Sequence, residues 1–158
     1  MGSGLLIFTL FHVALSLVAF IAGIVVVRGL LQNREAGGWT TAFLVTAVAT
    51  NVTGFGFPFV KLLPSHIVGI IALVVLAVTI LARYAFARAG FWRRVYAGGL
   101  VISLFFDTFV LVAQAFGKIP ALNLLAPTGS EPPFAIAEAV TLVVFAVIGF
   151  LAVRRASA

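Results

Sequence analysis

The sequence predicts an all-α membrane protein, a five-transmembrane-helix bundle with its N-terminus outside and its C-terminus in the cytoplasm. Three observations lead to this fold class: the composition, five long apolar segments, and the distribution of the arginines. Of the 158 residues, 63% are hydrophobic and only 9% are charged, and the mean hydropathy is +1.27. Soluble domains carry roughly 25% charged residues, so a chain this apolar is expected inside a bilayer.

Five apolar segments are long enough to cross a hydrocarbon core of about 30 Å, which takes roughly 20 helical residues. The predicted spans cover residues 5–27, 41–60, 66–87, 95–117 and 134–153 of a single transmembrane domain, 1–158. The second span is the most polar, and its far end contains Gly54, Gly56 and Pro58. Glycine and proline distort or end helices, so this segment either crosses with a distorted end or is re-entrant.

The arginines indicate both the number of spans and the orientation. With five spans all eight arginines fall on one side of the membrane, whereas four spans would place them on both sides. The positive-inside rule makes the arginine side cytoplasmic, and a bacterial inner membrane is the expected location. We expect these residues to act as topology signals and as contacts for anionic lipid: Arg28, Arg34, Arg83, Arg88, Arg93, Arg94, Arg154 and Arg155. The aromatic residues expected at the same boundary are Trp39, Tyr84, Trp92 and Tyr96.

Several classes of function find no support in the sequence. The net charge of +6 flanks apolar segments, which is the pattern of topology signals, so no nucleic-acid partner is expected. Cysteine is absent, which excludes disulfides, thiolate metal sites and a cysteine nucleophile. The motifs Gly-x-Ser-x-Gly, His-Glu-x-x-His and Gly-x-x-x-x-Gly-Lys are also absent. The sequence therefore favours a non-enzymatic protein.

Polar side chains within the spans are the candidates for a binding site. In the fourth predicted span, Asp107 shares one helix face with Ser103 and Gln114. A rise of 1.5 Å per residue places all the candidates in the outer half of the membrane, with Asp107 among the deepest. The candidate ligand-binding residues are His12, Asn51, His66, Asp107, Gln114 and Glu138. They predict a polar pocket that opens to the outside, with the proline-rich outer loop of residues 118–133 as its lid.

Four interpretations of this cluster remain open, of which catalysis by a pair such as Ser16 and His12, one turn apart on one helix, is the least favoured. The side chains could hydrogen-bond to one another and only hold the helices together. They could bind a quinone, a lipid headgroup or a metal ion such as zinc, manganese or iron, with His12, Asp107 and Glu138 as the metal ligands. A bis-histidine haem fits less well, because His12 and His66 differ by about 10 Å in depth. The third interpretation is a proton- or ion-coupled transporter or channel that acts as an oligomer.

The function that the sequence favours is a non-enzymatic membrane module. It would bind a small ligand or cofactor in the outer polar pocket, or act as an accessory subunit of a larger membrane complex. The expected partners are the lipid bilayer and either a second copy of the chain or a larger complex. The sequence does not identify the cofactor or the ligand.

Three segments resemble a family of small, uncharacterised bacterial multi-pass inner-membrane proteins. They are Thr53–Phe59 (TGFGFPF), Leu63–Gly69 (LPSHIVG) and Pro120–Phe134, which ends in SEPPF. The resemblance covers most of the chain. It implies a membrane location and no established activity.

Overall fold

The computed structural model describes residues 2–34, 36–58 and 64–157, with the side chains of residues 64 and 65 left out. Six helices lie within these ranges. They are α1 (Ser3–Leu31), α2 (Gly37–Gly54), α3 (Pro64–Tyr84), α4 (Phe91–Lys118), the short α5 (Pro120–Asn123) and α6 (Pro132–Arg155). The chain is therefore all-helical over the part that the structure describes.

Four of these helices are long and apolar enough to cross a membrane: α1, α3 from His66, α4 and α6. This identifies a membrane protein with at least four candidate spans among the described residues. The 18-residue α2 is not among them, so a fifth crossing stays a prediction. Residues 59 and 60, the predicted end of the second span, lie outside the described residues.

The helix boundaries follow from local backbone preferences. α2 ends at Gly54, as its glycines and Pro58 predict. α3 ends at Tyr84, before its predicted limit, because Ala87 and Arg88 have φ values of 47° and 57° that an α-helix does not contain. α6 begins with two prolines, which suit the first turn because their missing N–H groups have no helical acceptor there.

Side-chain contacts show that neighbouring long helices run antiparallel. Gly23 of α1, Phe43 of α2 and Leu104 of α4 meet at one depth in the bundle. A Cβ atom built at Gly23 would lie 2.6 Å from Leu104 Cδ1 and 2.9 Å from Phe43 Cε2. Nearer the start of α1, His12 reaches Thr53 near the end of α2. Further contacts join α2 to α3 and α3 to α4, so α1–α4 form a ring of four helices. α6 packs outside this ring, mainly against α4 and less against α1.

The antiparallel arrangement gives the bundle two chemically different ends. At the histidine end α1, α3 and α6 begin, and His12, His66 and Lys118 lie there. The arginine end is opposite, and the chain direction places all eight arginines in its helix ends and connections. The predicted grouping of the arginines is thus present in the fold. Lys61 lies outside the described residues.

Aromatic side chains surround the arginine end. Trp39 and Tyr84 are exposed, as expected for residues at a membrane boundary. Tyr96 is instead buried, and its hydroxyl accepts a hydrogen bond of 2.6 Å from Arg83 Nη1. The Arg88 guanidinium lies 5.5 Å from the centre of the same ring. Tyr96 is therefore part of the bundle interior, where its polar group has an arginine partner.

The half of the ring nearer the arginine end is close-packed. A Cβ atom at Gly99 would overlap Oγ1 of the fully buried Thr79, so only glycine permits this approach of α4 to α3. The largest fully buried side chains are Phe43, Leu76, Leu100, Val101 and Thr79. In the other half, no described residue of α1 before Ala19 and none of α4 after Leu104 is buried. Burial is therefore densest on the arginine side of the ring, although a cavity of about 40 Å³ lies among Val26, Thr40 and Tyr96 at that end. The half of the ring toward the histidine end, the open half, is less densely packed.

Candidate ligand site at the histidine end

The rim of the open half is formed by His12 and by the turn that follows α2. His12 Nδ1 lies 2.8 Å from Thr53 Oγ1, and the Phe57 ring meets the imidazole edge-on with 5.1 Å between centroids. Phe8 packs on Phe57 at 4.9 Å. The rim thus combines a histidine with aromatic faces, a surface suited to a flat ring.

The hydrogen bonds around Thr53 indicate which nitrogen of His12 is available. The Thr53 hydroxyl donates to the carbonyl oxygen of Ala49 at 2.7 Å, so toward His12 it acts as the acceptor. This assigns the imidazole proton to Nδ1 from the hydrogen-bond network. The Nε2 atom of His12 then carries a lone pair that can accept a hydrogen bond from a ligand.

His66 lies on the opposite side of the rim, at the start of α3. It is buried, and its ring centroid is 5.8 Å from that of Phe55. One turn further along α3, a Cβ atom at Gly69 would lie 3.3 Å from Phe55 Cζ and 3.9 Å from Asn51 Oδ1. The two histidines therefore each pair with a phenylalanine from the end of α2, and both belong to the same end of the ring.

The interior below the rim contains polar atoms without hydrogen-bond partners. Asp107 follows Leu104 by one turn and so continues the inward face of α4. Thr50 follows Phe43 by seven residues and continues the inward face of α2. Asp107 Oδ2 and Thr50 Oγ1 are both buried, and neither has a hydrogen-bond partner among the described residues. Because such groups cost about 1–3 kcal/mol when unsatisfied, a polar partner is expected in this space.

Relative depths can be read from the level at which Gly23, Phe43 and Leu104 meet. At 1.5 Å per residue, Asp107 lies about 4 to 5 Å from this level toward the histidine end, Thr50 about 10 Å and His12 about 16 Å. The three groups therefore lie at different depths on the histidine side of this level, with His12 nearest the end of the bundle and Asp107 the deepest.

Two other predicted residues have different positions. Asn51 Nδ2 donates to the carbonyl oxygen of Ala47 at 2.8 Å, so Asn51 is largely satisfied by its own helix while its Oδ1 faces α3. Gln114 is exposed, and the structure does not bring it into the ring. Its periodicity matches that of Asp107, but no described residue of α4 after Leu104 is buried, so this face is not covered at Gln114.

Glu138 occupies a separate position between α6 and α4. It lies seven residues, or two turns, before Phe145, whose ring is 5.8 Å from that of Phe105, and so shares the face of α6 that meets α4. Both of its carboxyl oxygens are buried without a hydrogen-bond partner among the described residues. Counting from Phe145, Glu138 lies about 12 Å toward the histidine end from the level at which Gly23, Phe43 and Leu104 meet. It shares the depth of Thr50 but stands outside the ring.

A metal site is not assembled in this part of the molecule. Among the described residues, no group of three or more histidine and carboxylate side chains lies close enough to hold a metal ion. His12 is bound to Thr53, Asp107 lies within the ring and Glu138 lies outside it. The metal-ligand set His12, Asp107 and Glu138 is therefore not brought together here.

The loop of residues 118–133 packs on α4. α5 contacts α4, and the Asn123 side chain donates to the carbonyl oxygen of Phe116 at 3.3 Å. Ala126 is buried, whereas Leu124 is 83% exposed. A lid over the ring stays a prediction, because these contacts tie the loop to the side of the bundle.

The end of this loop is held by Glu131, which precedes α6. Its carboxylate accepts hydrogen bonds from the Thr128 hydroxyl at 2.8 Å, from the Thr128 N–H and from the Ser130 N–H. Desolvation raises the pKa of Glu131, but these hydrogen bonds together outweigh it and hold the pKa below its ordinary value. Glu131 is thus expected to stay ionised and to fix the start of α6.

Thr53, the direct partner of His12, is a residue that the sequence analysis did not assign to the site. The sequence contained the information needed to find Thr53, because the short connection between α1 and α2 makes these two helices pack antiparallel. Gly29 and Ala36 face each other across that connection, with 3.6 Å between Ala36 Cβ and a Cβ built at Gly29. Counting outward equally along both helices from this pair leads to His12 and Thr53.

Comparison of the chain with protein-family models, curated proteins and solved structures found no match. The family resemblance inferred from the sequence therefore stays an expectation. The function has to be argued from the site itself.

Proposed function

We propose that this protein is a non-enzymatic membrane module that binds a small amphipathic ligand in the open half of its helix ring. The observation that carries the proposal is the pair of buried, unpartnered oxygens, Asp107 Oδ2 and Thr50 Oγ1, below an aromatic rim. In this proposal the chain crosses a bacterial inner membrane five times, with the histidine end outside and the arginine end in the cytoplasm.

The chemistry of the site favours a ligand with a flat ring and hydrogen-bonding groups, of which a quinone is the simplest lipid-soluble class. Phe57 and Phe8 offer faces and edges for the ring. His12 Nε2 can accept a hydrogen bond from a hydroxyl group, and Asp107 in its neutral form can donate to a carbonyl oxygen. A lipid headgroup would use the same polar atoms but would leave the aromatic rim without a purpose.

A proton- or ion-coupled transporter acting as an oligomer is the second candidate, because Asp107 and Glu138 are buried carboxyl groups at different depths. The packing of the arginine half speaks against it. Between Asp107 and Arg83, the buried threonine and serine hydroxyls of the described interior are those of Ser103, Thr79 and Thr40. Each already donates to the backbone carbonyl four residues earlier, at 2.8, 2.7 and 3.2 Å. A proton that reached Asp107 would find no further relay, so binding explains the arrangement better.

Binding can be tested by native mass spectrometry of the protein released from mild detergent with a short-chain ubiquinone analogue added. We expect one quinone per chain in the native protein and at least about tenfold less in Asp107→Val and His12→Phe, since each loses a polar ligand contact. Gln114→Val is the matched control, because it removes an exposed polar side chain from the same helix. Absence of bound quinone, or equal loss in the control, would refute the proposal.

The fivefold crossing has its own test, since the chain contains no cysteine and single cysteines can be introduced freely. Gln32→Cys follows α1 and Ala89→Cys follows α3. If α2 crosses, both cysteines lie in the cytoplasm and are protected from a membrane-impermeant maleimide, while Thr128→Cys is labelled. If α2 is re-entrant, Gln32→Cys and Ala89→Cys lie on opposite sides, and the five-span topology is wrong.

A further inference from the structure

A second, apolar groove runs along the seam between α4 and α6 on the outside of the ring. Its volume is about 270 Å³, and it is lined by glycines and apolar side chains only. At one end lie Gly98 of α4 and Val153 of α6, and at the other Phe105 and Leu142. This groove is distinct from the polar site within the ring.

The length and position of the groove match one leaflet of a bilayer. From Gly98 to Phe105 it follows α4 for about 10 Å, and from Val153 to Leu142 it follows α6 for about 16 Å, at 1.5 Å per residue. Half of a 30 Å hydrocarbon core is about 15 Å. The groove therefore extends from the arginine end to about the middle of the membrane, which is the path of one acyl chain.

The end of the groove at the membrane surface is basic. Arg94 lies one turn before Gly98, and Arg154 lies one turn after Phe150, another residue that lines the groove. Both arginines therefore continue the helix faces that form the groove, and both are exposed. An apolar channel of one-leaflet length that opens between two arginines has the chemistry of an anionic phospholipid.

We propose that the α4–α6 groove binds one anionic phospholipid from the leaflet at the arginine end, with an acyl chain in the groove and the phosphate between Arg94 and Arg154. This lipid would complete the surface of α6, whose only fully buried residue among those described is Ala152. The site is independent of the ligand proposed within the ring. It also turns the general anionic-lipid contact expected of the arginines into a defined site for two of them.

The contribution of the two arginines to lipid binding can be tested with the purified protein. The chain has then already been inserted, so an effect of the arginines on membrane topology does not interfere. Native mass spectrometry would compare retention of phosphatidylglycerol and phosphatidylethanolamine at equal, limiting concentrations. We expect preferential retention of one phosphatidylglycerol, weakened about 25-fold in the double variant Arg94→Gln/Arg154→Gln. The matched control is Arg93→Gln/Arg155→Gln, which removes the same charge from exposed arginines beside the groove.

The fit of an acyl chain in the groove needs a second variant, one that fills the groove without disturbing the core. Ala146→Phe places a ring in the groove, at a position that is exposed before any lipid binds. Val147→Phe, the control, adds the same ring to the neighbouring lipid-facing position, which is 54% exposed and does not line the groove. Loss of phosphatidylglycerol in Ala146→Phe alone supports the site. The lipid site would be refuted if both lipids were retained equally, or if the variants behaved like their controls. It would also be refuted if the groove were covered by a second copy of the chain in a dimer without bound lipid.

Discussion

Replacement of Asp107 by valine separates a ligand-binding role from a structural one, because the two roles predict opposite changes in stability. Asp107 Oδ2 is buried without a hydrogen-bond partner among the described residues. An unsatisfied buried polar atom costs about 1–3 kcal/mol. We therefore expect Asp107→Val to raise the free energy of unfolding of the ligand-free protein by about 1–2 kcal/mol while abolishing quinone binding.

The measurement is reversible unfolding in mixed micelles, followed by the loss of helical circular dichroism and repeated with and without quinone. Thr108→Val is the control, since its hydroxyl donates to the carbonyl of Leu104 within the same helix at 2.8 Å. This isosteric change should alter the free energy of unfolding by less than about 0.5 kcal/mol. If Asp107→Val destabilised the protein by 1 kcal/mol or more, as roughly expected for a broken interhelical hydrogen bond, Asp107 would be a structural residue and the reasoning from its unpartnered oxygen would fail.

Two further predictions concern the packing below the site and the loop beside it. Gly99→Ala should lower the free energy of unfolding by about 1–3 kcal/mol, because its Cβ atom overlaps Thr79 Oγ1. Gly98→Ala should be neutral or stabilise by up to about 1 kcal/mol, since its Cβ atom would meet only Val153, at 3.4 Å, and equal effects in the two variants would contradict the close approach. The Glu131 carboxylate should titrate, by its ¹³C chemical shift, below its midpoint in the unfolded chain, because its pKa is lowered in the fold. The stabilisation that it gives the loop is then present above the unfolded-state pKa and is lost as the pH falls through the folded-state value, a pH dependence that Glu131→Gln should remove.

Much of the architecture could be predicted because its determinants are local in the sequence. Apolar length defines the helices, and the arginines mark the turns at one end. Helix periodicity also places Asp107 on one face of its helix with Ser103, and in the structure Ser103 and Asp107 Oδ2 are both buried. Each of these inferences needs only one helix or one connection at a time.

The remainder depends on how the helices meet, which single-helix periodicity does not contain. Gln114 has the same periodic phase as Asp107 but is exposed, because no other helix covers that face of α4 at its level. Glu138 and Asp107 both have buried carboxyl oxygens, yet Asp107 faces the ring interior while Glu138 faces the seam between α4 and α6, since α6 lies outside the ring. A depth estimate gives the level of such residues in the membrane but does not show whether they share a cavity. Predicting His12, Asp107 and Glu138 as one metal-ligand set would have required knowing which helix faces meet.

The polarity of α2 need not prevent it from crossing the membrane. Its helix is too polar to count among the apolar spans, yet its polar side chains are largely satisfied by the helix itself. Hydroxyls at Thr40, Thr46 and Thr53 donate to backbone carbonyls four residues earlier, as does the amide of Asn51. Hydrogen bonds of this kind remove most of the cost of a polar group in hydrocarbon.

α2 also packs along α1 from Ala36, beside Gly29, to Thr53, beside His12, a distance of about 25 Å at 1.5 Å per residue. A helix that follows its neighbour over this length spans most of a 30 Å core, so α2 is expected to cross with α1 as an antiparallel pair.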